Sequence, residues 1–139
     1  MKKKFQIRVA GISFFHDKIL LITHKKNGSE YWVVPGGRCE WSEPAADAVR
    51  REFKEELDLD VKVLEFLFYS ESLPPSYPVH SLNLFFLVKP LSRRIKLEDN
   101  TIIGRSRFFT REEIKKILLY PKINSIIYEN FNLWRKKVK

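Results

Sequence analysis

From Phe5 to Phe15 apolar and polar side chains alternate, with aromatic and β-branched residues prominent, and this pattern predicts a strand. His16-Asp17 reads as a turn into a second strand, KILLITHK, from Lys18 to Lys25. Lys26-Asn27-Gly28-Ser29 is a polar turn, and Tyr31 to Val34 forms a short apolar strand that ends at Pro35-Gly36-Gly37. Further strands are expected at Val61 to Ser70, Ser81 to Val88 and Ile102 to Phe109. The three prolines between Leu73 and Pro78 require a loop. Helical spacing marks Arg111 to Leu119, with Thr110 as N-cap, and Ile123 to Trp134. Strands with helices inserted and appended imply one α/β domain over residues 1–139, built in layers around a mixed sheet.

The helix between the third and fourth strands has an unusual charge pattern. Its interior, AADAVRREFKEEL, contains no breaker, and Ser42 is expected to cap it, with Pro44 tolerated in the first turn. At about 100° per residue Ala45, Ala46, Val49, Phe53 and Leu57 gather on the core face. Asp47, Arg50, Arg51 and Lys54 fall opposite. Glu52, Glu55 and Glu56 line the margin of the buried face, not its solvent-facing back. Like charges at i,i+3 and i,i+4 destabilise a helix by about 0.2–0.5 kcal/mol per pair, and partial burial adds desolvation. A hard divalent cation would offset both, since Mg²⁺ takes oxygen ligands and shares carboxylates with substrate phosphates. The backbone at Gly36-Gly37, lacking side chains, can approach closely and offer a carbonyl oxygen.

Charge mapping gives the same picture. The chain of 139 residues carries a net charge of +9, yet eight of its 17 acidic residues lie between Glu40 and Asp60. An acidic island in a basic chain suits a cation site within a field that attracts polyanions. The single cysteine, Cys39, excludes an internal disulfide and points to a reducing cytoplasm. The basic N-terminus lacks a signal-type apolar core, and no run of about 18 apolar residues suggests a membrane span.

The residues Gly37, Glu43, Arg51-Glu52, Phe53, Glu55-Glu56 and Leu59 stand at the spacing of the Nudix box, GX5EX7REUXEEXGU, where U is a bulky apolar residue. The chain therefore resembles the Nudix hydrolases, and the order of its elements is similar along its length. One fixed position departs: Asp58 stands where the box has glycine. That glycine would be the left-handed helix C-cap, a conformation Asp also visits, so the change bears on stability.

The resemblance implies an α/β/α sandwich and Mg²⁺- or Mn²⁺-dependent hydrolysis of a nucleoside diphosphate linked to another moiety. It makes Glu52 and Glu56 the main metal ligands, joined by Glu55 and the Gly36 carbonyl, with Glu43 and Arg51 in support. Glu52 or Glu55 would be the general base. Arg8 and Arg38 are candidate phosphate contacts, because Arg pairs bidentately with phosphate. A further acid outside the box would have to come from Glu98 or Asp99, since IIGRSRFF has none. His16, His24 and His80 show no metal-ligand spacing and read as structural or surface residues, while Tyr31, Trp32 and Tyr77 read as packing aromatics that could also stack on a base. The expected partner is a nucleotide-type small molecule, as monomer or homodimer, without membrane association. A non-catalytic nucleotide- or RNA-binding sensor and an RNA 5′-end hydrolase are the alternative readings.

Overall fold

The computed structural model describes residues 3–26, 28–92 and 106–138. Its axis is β1 (Phe5–Phe15), long enough to serve two halves of a seven-stranded sheet. Most of β1 runs parallel to β6 (His80–Pro90), from Phe5 opposite His80 to Ser13 opposite Val88. β6 in turn pairs antiparallel with β5 (Val61–Ser72). At its far end β1 pairs through Phe14 and Phe15 with β2 (Lys18–Lys26), which is flanked by β3 (Ser29–Val33) and β7 (Ser106–Phe109). The hairpin turn is His16-Asp17, both in left-handed backbone (φ 48° and 66°), as a two-residue type I′ turn requires. The sheet is mixed, as expected.

Period-two alternation decides which helix each strand residue meets. Ala10, Ile12 and Phe14 of β1, with Phe85 and Leu87 of β6, face α3 (Asn124–Lys137) and its buried Ile127, Phe131 and Trp134. Val9 of β1 and Leu84, Phe86 and Val88 of β6 face the opposite helix, α1 (Ala45–Leu57), around Ala48, Val49 and Phe53. A helix on each face gives the α/β/α arrangement. Gly11 lies under α1: a Cβ there would come within 2.8 Å of the Phe53 ring carbon Cζ, so glycine lets the helix settle on the sheet. Among the described residues no helix is long and apolar enough to cross a membrane.

Several boundaries depart from the sequence expectation. Gly36 and Gly37 are not only a turn: Gly36–Arg38 is a short strand, β4, paired antiparallel with β1. Ser42 does not cap α1. It adopts φ 63°, and Pro44 occupies the cap position, where its carbonyl accepts the first helical bond from Ala48 N–H at 3.0 Å. The expected helix from Arg111 to Leu119 shortens to α2 (Arg111–Ile114). Thr110 does form its capping box with Glu113, but Asn124 Nδ2 takes the carbonyls of Ile114 and Ile117 at 2.7 and 3.1 Å and closes the segment. Residues 102–105 of the expected last strand, and Glu98 and Asp99, lie outside the described residues.

Asp58 ends α1 in left-handed conformation, φ 51° and ψ 40°. Its N–H bonds to the Lys54 carbonyl, the single bond of the αL C-cap motif, and the Leu59 N–H bonds to the Phe53 carbonyl. A glycine there would relieve the Cβ penalty, and the exposed Lys54–Asp58 ion pair that it would remove is worth little. Asp58→Gly is therefore expected to raise stability by about 0.5 kcal/mol and Asp58→Ala to lower it by about 1 kcal/mol. Thermal denaturation of both variants checks the order.

Candidate active site

β4 brings backbone and carboxylate together. A Cβ on Gly37 would overlap the Glu52 carboxylate, so only glycine lets that group lie against the strand. Bonds from Gly11 N–H to the Pro35 carbonyl and from Cys39 N–H to the Ile7 carbonyl set the β1–β4 alternation. Gly36 and Arg38 then occupy the non-hydrogen-bonded pairs, and their carbonyls point away from β1. The Arg38 carbonyl is used: it accepts Arg51 Nη2 at 3.1 Å.

Arg51 organises the acids. Its Nε and Nη2 donate to the two Glu43 oxygens at 2.8 and 3.0 Å, and Nη1 donates to Glu52 at 2.9 Å and Glu55 at 3.2 Å. Helical periodicity had assigned Arg51 to the solvent-facing back of α1. The network turns it inward, because a long guanidinium can reach around the helix to the β4–α1 loop. The Arg51 fork, with the Glu40 N–H, holds the Glu43 carboxyl well below the usual range, at about 2. Glu43 in turn raises the pKa of Arg51.

Glu56 is in the opposite situation. Burial, followed by its side-chain hydrogen bond and charge repulsion with Glu52, pushes its pKa up to about 8. Only the charge of Arg8 opposes the rise. One Glu56 oxygen, Oε2, is buried without a hydrogen-bond partner. Glu55 stands further round the helix, 59% exposed and leaning on Arg51.

Next to Gly36 opens a cleft of about 330 Å³ between the two halves of the sheet. Arg8, His24, Tyr31, Ser72, Tyr77 and Tyr120 are among its walls. Arg8 sits between the two regions, since its charge is felt by both Glu56 and His24. Burial and then Arg8 depress the His24 pKa, so the imidazole is neutral at pH 7. Backbone bonds from Trp32 N–H to the Leu118 carbonyl and from Tyr120 N–H to the Trp32 carbonyl bring Tyr120 against Tyr31.

A family model for the NUDIX domain matches residues 4–131. The chain belongs to the Nudix family. It is 30% identical over 112 residues to an ADP-ribose pyrophosphatase of Methanocaldococcus jannaschii, a match covering 80% of this chain and 65% of that protein's length. Its fold is similar to that of a Nudix hydrolase from Nitrosomonas europaea (TM-score 0.77, 20% identity, 94% of this chain and 90% of the other). It is also similar to that of an ADP-ribose pyrophosphatase from Streptococcus suis (TM-score 0.64, 24% identity, 95% and 90%).

Within this Nudix domain the box residues meet unevenly. Glu52 and Glu56 touch, Gly37 is packed against Glu52, and Glu43 and Arg51 form the bracing pair. Among the described residues no three carboxylate, imidazole or thiol groups converge at metal-ligating spacing. The donor set still fits a hard cation: the oxygens are carboxylate and carbonyl, and the Glu56 oxygen is buried with no other partner. Of the two candidate phosphate contacts, Arg8 lines the cleft, whereas Arg38 shows a use for its carbonyl and has an exposed side chain. Trp32 is a packing residue, edge-on to Phe109 at 4.7 Å. Tyr31 and Tyr77 line the cleft. So does His24, which sequence reasoning assigned to structure or surface because nothing beside it in the chain signals a site.

Proposed function

We propose that this Nudix protein hydrolyses a pyrophosphate bond in a nucleoside diphosphate linked to another moiety, with Mg²⁺ or Mn²⁺ as cofactor. The observation that supports it is the buried, unpartnered Glu56 oxygen beside Glu52, at the Gly36 end of a cleft that Arg8 joins to it. Glu52, Glu56 and the Gly36 carbonyl would hold the ion, with Glu55 completing the set on leaving Arg51. When bound, the cation neutralises the diphosphate and acidifies a water. Arg51 fixes Glu52 through Nη1, and Glu43 fixes Arg51, so the carboxylates keep their aim without help from substrate. Glu52 or Glu55 takes the proton of the attacking water, whose hydroxyl adds to one phosphorus as the bridging oxygen leaves on the other. Arg8 takes a phosphate oxygen at the cleft mouth.

The test is a product-resolved panel of ADP-ribose, nucleoside triphosphates, dinucleoside polyphosphates and 5′-triphosphate RNA with Mg²⁺ or Mn²⁺. The expected result is cleavage of at least one, abolished by excess EDTA. Cleavage at full rate in EDTA would sink the mechanism, and tight binding without cleavage would select the sensor reading.

A further inference from the structure

We propose that β5 is a self-association edge: a second copy of this chain pairs antiparallel with it over residues 68–72, about a two-fold axis at Ser70. The pairing needs neither metal nor nucleotide and stands whether or not the hydrolytic reading does.

Among the described residues β5 ends the strand order of the sheet, with β6 as its neighbour. An edge strand directs every second N–H and C=O outward, a template for another strand. Bulges and charges blunt such edges, and the first part of β5 has both. Leu64 and Leu67 are the extra residues of two bulges in its register with β6, and Lys62 and Glu65 stand exposed along it. From Phe68 opposite Phe85 to Ser72 opposite Ser81 the register is regular. Ser70 and Ser72 are held from the β6 side, since Asn83 Nδ2 donates to their hydroxyls at 3.2 and 3.0 Å. The stretch is therefore ordered before a partner arrives, which lowers the cost of pairing.

The side chains favour this register. Pairing about Ser70 sets Tyr69 opposite Glu71 of the second copy, twice, and Leu67 opposite Leu73. Residues opposed in an antiparallel ladder share a face, so the Tyr69 hydroxyl can donate to that carboxylate, whose Oε2 also meets His80 at 2.8 Å. Other registers are poorer. Centring on Glu71 sets two carboxylates against each other, centring on Phe68 sets Glu65 against Glu71, and centring on Tyr69 runs the Leu67 bulge into the ladder. With a net charge of +9 two copies repel over most of their surface, whereas residues 68–72 include no lysine or arginine.

The area agrees with a modest dimer. Phe66, Tyr69 and Leu73, in and beside the stretch, are 50%, 62% and 51% exposed. At about 200 Å² for a whole aromatic side chain, and less for leucine, they leave roughly 300 Å² per copy in water. The two strand edges bring the contact to on the order of 1,000 Å² in total, the lower bound for a specific interface. A dissociation constant of about 10 µM fits that size.

Sedimentation equilibrium of the full chain in EDTA, from about 1 to about 300 µM, tests the pairing. A monomer–dimer equilibrium is expected, with a melting temperature that rises with protein concentration. Tyr69→Glu is expected to weaken the dimer at least tenfold, because it sets like charges opposite each other at two places. Tyr69→Lys places an opposite charge against Glu71 of the second copy and should keep the dissociation constant within about threefold. Both variants remove the same exposed ring, so loss of apolar contact alone would move them equally. A monomer over the whole range would leave the edge to another occupant and overturn the proposal. So would a dimer indifferent to Tyr69→Glu, or one that both variants weaken alike.

Discussion

Glu56→Gln is expected to lose divalent-dependent hydrolysis by well over a hundredfold, beyond the roughly 10–100-fold typical of residues that only support metal ligands. The amide keeps the shape of the side chain but cannot supply the anionic oxygen that is now buried and unpartnered. The same substitution should change stability in the opposite sense. In metal-free protein the folded-state pKa of Glu56, about 8, lies above its ordinary 4.5, so the folded state retains a proton that the unfolded state releases. Its contribution is fully present below pH 4.5 and is lost as pH rises to about 8, in total on the order of a few kcal/mol. The wild-type melting temperature in EDTA should therefore decline between pH 5 and pH 9, and Glu56→Gln should flatten that decline. Added Mg²⁺ should restore the wild-type value most at high pH, where the carboxylate is already ionised. A variant with full activity, or a wild-type curve flat over this range, contradicts the assignment.

The part of the site on α1 is legible in the sequence because a helix converts spacing into direction. Val49, Phe53 and Leu57 define the core face, and Glu52 and Glu56 must then border it, so their burial follows from the 3.6-residue repeat. Ala48 belongs to the buried set as well, where the periodicity had favoured Ala46, because α1 lies slightly rotated on Val9 and Val88. Asp58 as left-handed cap is likewise a local property. β4 is not legible in this way: three residues have no period, and pairing with β1 depends on contacts distant in the chain. Ser42 has a good capping side chain, but the left-handed backbone of the loop carries it past the helix end and leaves Pro44 there. The cleft is the least legible feature. His24, Tyr31, Tyr77 and Tyr120 come from β2, β3, the loop after β5 and the segment before α3, and only the completed sheet brings them to one space.

Arg51→Ala is expected to be the most damaging single change to the bracing of the site. It leaves Glu43 and Glu52, with side chains 16% and 13% exposed, without the guanidinium that satisfies both. It also frees Glu55 and the Arg38 carbonyl. Leaving partly buried charged groups unmet costs about 2 kcal/mol, or roughly 8 °C in melting temperature for a domain of this size. Activity should fall further than stability alone explains, about 10–100-fold at temperatures where the variant is folded, because Glu52 loses the contact that aims it. Arg51→Lys should recover little, since an ammonium cannot reproduce the two parallel bonds to Glu43. The acid limb gives a separate signature. The Glu43 pKa is held at about 2, below its ordinary 4.5, so its contribution is present above pH 4.5 and is lost as pH falls toward 2. Arg51→Ala should abolish that contribution, so the gap in melting temperature between variant and wild type is wide at pH 6 and narrows as both are taken below pH 3. A gap that stays constant across this range would mean that Arg51 stabilises the fold by packing its chain, not by holding Glu43 ionised.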